Sequence, residues 1–147
     1  LPLIGRLTRA ANTARAARTL ALLAGAAVPL LDALAIAAQV VPNLPMRESL
    51  RRAAFKVREG SGFARALAES KQFPPIALRL IASGERSGEL PRMLEEAAAQ
   101  QQRELDRALG LLSATLGPAV ILLVGAMVLF IVLAILMPIF DLNQMVK

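Results

Sequence analysis

The segment Ala119–Phe140, which reads AVILLVGAMVLFIVLAILMPIF, constrains how the rest of the chain can fold. It lies in a run of 33 residues, 108–140, that has no ionisable side chain. A bilayer core of about 30 Å requires about 20 apolar residues in a helix that rises roughly 1.5 Å per residue. A core helix of a soluble domain is the alternative, but a chain this small could not cover such a helix on every side. The sequence therefore predicts a transmembrane helix over 111–140.

The basic residues predict the orientation of this helix. Sixteen of the 17 Lys and Arg residues precede it, and only Lys147 follows, in the closing sequence DLNQMVK. Because an excess of Lys and Arg marks the cytoplasmic side, we expect a cytoplasmic domain over 1–110 and a short tail over 141–147 on the other face. Trp and Tyr are absent, so neighbouring helices as well as lipid are expected to hold the span.

The composition excludes several kinds of chemistry. The chain has 147 residues, a net charge of +6 and no Cys or His. The absence of Cys excludes disulfides and thiolate-bound zinc, and the absence of His excludes a Ser-His-Asp triad. None of the three Lys residues follows a Gly, so there is no P-loop, and paired carboxylates such as Glu95–Glu96 are predicted on a solvated helix face. An oxygen-ligated cation site stays open on composition, but we predict no enzyme, no cofactor and no metal ligand.

The first 110 residues are predicted to form an all-α bundle of six helices, of which the last continues into the membrane span. Ala, Leu, Arg and Glu dominate this part, and apolar and polar residues show no sustained alternation. We expect the first three helices to run from a cap at Asn12 or Thr13 to about Ala27, from Pro29 to Val41, and from about Met46 to Glu59. The next two are expected from a cap at Ser61 to Glu69 and from Pro74–Pro75 to about Gly84. The sixth is expected to begin at about Glu89 and to have a kink at Pro118.

A second apolar run, Ala21–Val41, carries a single charge at Asp32. It could be another span, but one carboxylate at the bilayer centre costs about 2.5–3.5 kcal/mol. Pro29 interrupts the run, and proline is tolerated at the first turn of a helix. The sequence therefore favours two packed helices of the bundle over a second membrane helix.

The third helix is predicted to be amphipathic, with a candidate docking site on its charged side. At about 100° per residue, one face carries Leu50, Ala53, Ala54 and Val57, and another carries Arg47, Arg51 and Arg58. Phe55 falls on the charged side. An exposed aromatic residue beside Arg suits a partner protein, whereas a neighbouring helix would cover Phe55 in a compact bundle.

Motifs spread over the whole chain resemble one family. The matching residues are Gly60, Ser61, Ala66 and Leu67; Phe73 and Pro74; Gly84, Glu85, Ser87, Gly88, Glu89, Leu90 and Leu94; upstream, Thr13–Arg15, Arg18–Leu20, Val28–Leu30, Ala33 and Leu34; and, near the end, Leu136–Phe140, Asn143 and Gln144. The chain resembles the inner-membrane platform proteins, protein F, of bacterial type II secretion systems. It is more distantly similar to the platform proteins of type IV pilus machines.

The resemblance implies a non-enzymatic platform subunit of the bacterial inner membrane, whose bulk is cytoplasmic and whose tail is periplasmic. Such a subunit couples a cytoplasmic secretion ATPase to pseudopilus assembly for the export of folded proteins. The implied partners are the secretion ATPase, other inner-membrane secretion subunits, pseudopilins and further copies of the protein. Family members resemble two copies of a helical domain with three spans. A chain that begins at Leu1 with one domain and one span therefore looks like the second copy and the last span.

Within the family motif, the segment 84–90 is a candidate for partner binding. Gly84 and Gly88 permit unusual backbone conformations, Ser87 can cap the sixth helix, and Glu89 suits the positive end of that helix. Glu85 is expected to pair with Arg79 or Arg86. The two acidic residues could instead bind a basic partner, or the whole segment could be a structural corner between two helices. The candidate partner-binding set is Gly84, Glu85, Ser87, Gly88, Glu89, Phe55, Arg47, Arg51 and Arg58.

Small residues mark one side of the predicted membrane helix. Gly110, Ala114, Gly117 and Gly125 project to that side of a straight helix, where they would let another helix approach closely. We expect packing against other spans, a second protomer or a pilin. An Ala-rich composition alone could produce the same pattern, and a kink at Pro118 would rotate its two parts.

Two other functions fit the topology. A tail-anchored helical adaptor would differ from a platform protein only in its partner. A membrane-tethered nucleic-acid-binding protein would use the positive charge, but base stacking normally requires aromatic side chains, and the first 110 residues offer Phe55, Phe63 and Phe73. The basic residues are also interspersed with carboxylates and accounted for by topology. We therefore expect no nucleic acid among the partners.

Overall fold

The computed structural model describes residues 2–146, apart from the side chain at position 3. These residues form α-helices and no strand, which confirms the predicted all-α class with six helices. The helices are α1 (Pro2–Gly25), α2 (Leu30–Val40), α3 (Leu44–Arg58), α4 (Phe63–Ala68), α5 (Pro75–Ser87) and α6 (Leu90–Met145). The chain divides into two compact units, one that ends at Arg107 and one that begins at Ala108.

Helix α1 begins well before the predicted cap. Asn12 and Thr13 lie inside the helix and are buried, and Asn12 Nδ2 donates a hydrogen bond to the Thr8 carbonyl oxygen at 2.8 Å. The predicted start was wrong because the buried face of the helix continues upstream to Ala10, so packing overrides a local capping signal. The helix ends at Gly25, and Ala27 follows with a positive φ of 60°.

Helix α2 belongs to the bundle, as predicted. Pro29 precedes its first turn, and at 11 residues it is too short to cross a bilayer. Its buried face consists of Ala33, Leu34, Ala37 and Ala38. The large side chains of the core come from several helices: Leu20, Leu34, Met46, Leu50, Phe63, Leu67, Ile81 and Leu94.

Helix α3 starts two residues earlier than predicted, because Asn43 caps it. Asn43 Oδ1 accepts a hydrogen bond from the Met46 backbone N–H at 3.0 Å, and Pro45 occupies the first turn. The predicted apolar face is confirmed: Leu50 and Ala53 are buried, and Ala54 and Val57 pack against the core. Gly60, with a φ of +96°, follows the end of the helix.

Helix α6 is 56 residues long and contains the apolar segment. Every residue from 109 to 146 is exposed, so this segment is not the core helix of the bundle described here. It is long and apolar enough to cross a membrane. Pro118 and Pro138 lie within the helix, which extends beyond the predicted span into the closing sequence.

Candidate functional site

Gly84 lies inside α5 and not at its end. The helix continues to Ser87, so the predicted end near Gly84 was wrong. Gly84 is buried, and a Cβ atom at this position would lie 2.8 Å from Met93 Cβ and 2.9 Å from Leu90 Cα. The glycine is therefore required by the close approach of α5 and α6, which offsets the entropic cost of glycine in a helix.

The turn between α5 and α6 is built from the next residues of the motif. Gly88 adopts a left-handed conformation with a φ of +74° and caps α5, as glycine commonly does. Ser87 Oγ accepts a hydrogen bond from the Glu89 backbone N–H at 3.4 Å, so Ser87 closes the turn and does not cap the first turn of α6 as predicted. The Glu89 carboxylate pairs with Arg92 at 3.2 Å.

Glu85 caps the short helix α4 from a neighbouring helix. Its carboxylate accepts hydrogen bonds from the Phe63 backbone N–H at 2.6 Å and the Ala64 backbone N–H at 3.2 Å. The N-cap residue of α4 is Gly62, which has no side chain to do this. Ser61, the predicted cap, lies outside the helix and donates its own N–H to the Lys56 carbonyl oxygen at 2.9 Å.

The predicted ion pair of Glu85 with Arg79 or Arg86 was wrong. None of the ion pairs within residues 2–146 includes Glu85. A carboxylate at a helix N-terminus receives charge-assisted hydrogen bonds and faces the positive end of the helix dipole. These interactions give Glu85 a structural role in joining α4 to α5. Partner binding by the segment 84–90 stays a prediction.

The solvent-facing side of α3 carries the strongest candidate for partner binding. Phe55 is 61% exposed, so no neighbouring helix of the described chain covers it. Leu44, which the sequence pattern did not single out, is 66% exposed on the same side. Five residues, spaced alternately four and three positions apart, share this side of the helix. We call this set the outer face of α3: Leu44, Glu48, Arg51, Phe55 and Arg58.

Arg47 does not belong to the outer face. Its guanidinium donates hydrogen bonds from Nε and Nη2 to the Val41 carbonyl oxygen, at 3.2 and 3.0 Å. Val41 follows the last residue of α2, and basic side chains commonly satisfy carbonyl groups at that end of a helix. Arg47 therefore ties α3 to the end of α2, and only Arg51 and Arg58 of the predicted arginine stripe lie on the outer face.

The outer face has a positive charge. Arg51 and Arg58 are exposed, and Glu59, which is also exposed, directly follows Arg58. Glu48 of the same set lies 3.5 Å from the Arg51 guanidinium in a solvent-exposed pair. Exposed pairs of this kind are weak, so they leave Arg51 available to a partner. Two large apolar side chains set among basic groups match an acidic surface that has an apolar pocket.

The small-residue side of α6 is open. A Cβ atom at Gly110, Gly117 or Gly125 would meet nothing within 4 Å, and Ala114 is exposed. This leaves space for another helix, and packing there stays a prediction. Among residues 2–146 there is no cluster of acidic side chains that could hold a metal ion.

Comparisons with known proteins identify the family of the chain. The family model described as "Type II secretion system (T2SS), protein F" matches residues 16–138. The chain is 51% identical to the type II secretion system protein F of Pseudomonas aeruginosa over 99% of its own length, and 47% identical to that of Aeromonas hydrophila over 100%. It is 38% identical over 99% of its length to the type 4 fimbrial assembly protein PilC of Pseudomonas putida.

The chain spans 36–38% of the length of these relatives. The family match covers most of the bundle and most of the apolar part of α6. The matched residues include Gly84 and Glu85. The chain therefore belongs to the type II secretion system protein F family.

Proposed function

We propose that the chain is part of a non-enzymatic platform subunit in the inner membrane of a type II secretion system. In this role the subunit couples a cytoplasmic secretion ATPase to pseudopilus assembly for the export of folded proteins. The observation that carries the proposal is the 51% identity to a protein F over 99% of the chain. The exposed apolar part of α6 supports a membrane location.

Loss of the full-length protein tests this role. Deletion of its gene is expected to abolish both the export of folded substrates to the medium and the growth of a pseudopilus when the major pseudopilin is overproduced. Re-expression of the full-length protein should restore both. Normal export in the deletion strain would contradict the proposal.

We propose that the outer face of α3 binds the secretion ATPase. Phe55 and Leu44 supply apolar area that no described residue covers, and Arg51 and Arg58 supply positive charge around them. Buried aromatic and arginine side chains contribute most of the affinity at protein interfaces. The ATPase surface is expected to offer an apolar pocket bordered by carboxylates.

Copurification of the ATPase with the full-length protein tests this surface. Phe55→Ala, or Arg51→Glu with Arg58→Glu, is expected to lower the recovered ATPase on the order of tenfold. Ile76→Ala and Arg79→Glu on α5 are matched controls, because both residues are exposed and lie off the outer face. Equal losses in the controls, or none in the α3 variants, would overturn the assignment.

A type IV pilus platform is the second candidate function. It is favoured by the 38% identity to a fimbrial assembly protein, which is lower than the identity to the protein F relatives. Cross-complementation separates the two. The full-length protein should restore secretion in a strain that lacks protein F but not piliation in a strain that lacks the pilus platform, and the reverse result would favour the pilus.

A further inference from the structure

Helices α1 and α5 and the bundle part of α6 meet at a cluster of small side chains, against which Leu80 of α5 packs. The residues buried together there are Ala17 of α1, Ala77 of α5, and Ala97 and Ala98 of α6. The main core also contains alanines, but it adds large Leu, Ile, Met and Phe side chains that this cluster lacks. Since hydrophobic stabilisation scales with the apolar area buried, this contact is weaker than the main core.

Two polar side chains continue the same contact. Ala17 of α1 clusters with Ala97 and Ala98 of α6, and Gly25, later in α1, lines a groove with Pro91, earlier in α6. The two helices therefore run antiparallel. The next turn of each helix therefore brings Thr13 and Gln101 to the same end of the contact. We call Thr13, Ala17, Ala97, Ala98 and Gln101 the α1–α6 seam.

The polar side-chain atoms of the seam are buried without hydrogen bonds to the described residues. Gln101 is 0% exposed, and neither its Oε1 nor its Nε2 has a partner among the described residues. Thr13 is 1% exposed, and its Oγ1 is equally unsatisfied. Thr8 and Thr19 of the same helix instead donate to the carbonyl four residues earlier, at 2.8 and 2.9 Å. Thr13 therefore lacks a bond that its neighbours in α1 make.

This combination lowers the free-energy cost of opening the seam. A buried amide or hydroxyl without a partner costs free energy, which is recovered when the group meets water. The alanines that would have to separate bury little area and oppose the change weakly. Elsewhere α6 is held by Leu94, which lies in the main core, and by the close contact at Gly84.

We infer that the α1–α6 seam is a conformational joint of the bundle. In the closed state Thr13 and Gln101 are buried, and in the open state water reaches them. The part of α6 from Ala97 to Arg107 then separates from α1 and from Ala77 of α5, while α2 to α5 stay packed against one another. This part leads directly, along the chain, into the apolar segment of α6. The inference rests on the bundle alone and does not require the proposed secretion partners.

Reactivity of buried thiols measures this opening directly, since the chain contains no Cys. Ala97→Cys and Ala98→Cys report on the seam, and Ala37→Cys, at an equally buried alanine of α2, is the matched control. Each variant is made in the full chain in detergent micelles, and its helicity is checked by circular dichroism. We expect the seam thiols to react with a maleimide at least about tenfold faster than the α2 thiol.

A second set of variants tests whether the buried polar side chains of Thr13 and Gln101 cause the opening. Thr13→Val with Gln101→Leu should slow labelling of the seam thiols on the order of tenfold and leave the α2 thiol unchanged. Ser49→Ala, which removes another buried and unpartnered hydroxyl in α3, should alter neither rate. Equal labelling of seam and α2 thiols would overturn the inference. Faster seam labelling after the double substitution would also overturn it, because the polar pair would then hold the seam closed.

Discussion

Single residues at the Gly84–Leu90 motif explain how three helices are joined. Gly84 permits the close approach of α5 and α6, Gly88 ends α5 in a left-handed conformation, and Glu85 accepts hydrogen bonds from the start of α4. Each task requires a different property: no side chain, a positive φ, and a carboxylate on a flexible stem. The family motif is therefore accounted for largely by the architecture of the bundle.

Replacing Glu85 should loosen α4. Glu85→Ala leaves the Phe63 and Ala64 N–H groups without their acceptor, and loss of a helix cap costs about 0.5–2 kcal/mol. Glu85→Gln keeps a neutral acceptor and should lose less. Chemical unfolding followed by circular dichroism measures the difference, with Glu95→Ala, an exposed acid of α6, as the control. Unchanged stability together with lost secretion would instead place Glu85 in direct contact with a partner.

Adding one methyl group at Gly84 should destabilise the bundle. Gly84→Ala forces α5 away from the Leu90 backbone and from Met93, and overpacking of this kind typically costs about 1–3 kcal/mol. Gly25→Ala is the control, because a Cβ atom there meets nothing within 4 Å. If the denaturation midpoint shifts equally in both variants, the close contact at Gly84 is not the cause of the lost stability.

At the scale of whole helices, the amphipathic pattern is the most informative feature of the sequence. The period of α3 correctly placed Leu50 and Ala53 in the core, and Pro29 correctly separated α1 from α2. The same period put Phe55 on the charged side but did not decide between exposure and cover by a neighbouring helix. Such features depend on residues that are close in the sequence, so local reasoning finds them.

Features that depend on distant residues could not be predicted in this way. The Glu85 cap joins residues more than 20 positions apart, and nothing in the local sequence of α4 indicates it. The burial of Asn12, which turned an expected cap into a helix interior, likewise results from packing between helices. The position of Arg47 along α3 suggested that it shares a stripe with Arg51 and Arg58. Its guanidinium instead donates a hydrogen bond to the Val41 carbonyl oxygen and so lies off the outer face.

Helix α6 should pack through its small residues. Gly117→Leu or Gly125→Leu fills the open side and should reduce association with other membrane helices, since small residues allow close approach. Ala119→Leu adds similar bulk on the opposite side and serves as the control. Copurification of the secretion subunits from membranes is the measurement. Full assembly of the Gly117 and Gly125 variants would refute packing on this side.

For the whole molecule, the distribution of charge predicts its orientation. A single Cys at Ser83, in α5, should lie in the cytoplasm, and one at Asn143 should lie in the periplasm. A membrane-impermeant maleimide added to intact spheroplasts should label Asn143→Cys and spare Ser83→Cys until the cells are permeabilised. The opposite pattern would invert the topology, and labelling of both thiols in intact spheroplasts would argue against a span.

The capping of α4 by Glu85 has a consequence for the order of folding during translation. A helix of six residues is far too short to persist by itself in water. Its acceptor is synthesised only after the loop and most of α5 have followed. The nascent chain is thus expected to leave Phe63–Ala68 unstructured until residue 85 has emerged from the ribosome, when α4 and α5 form together as one cooperative step.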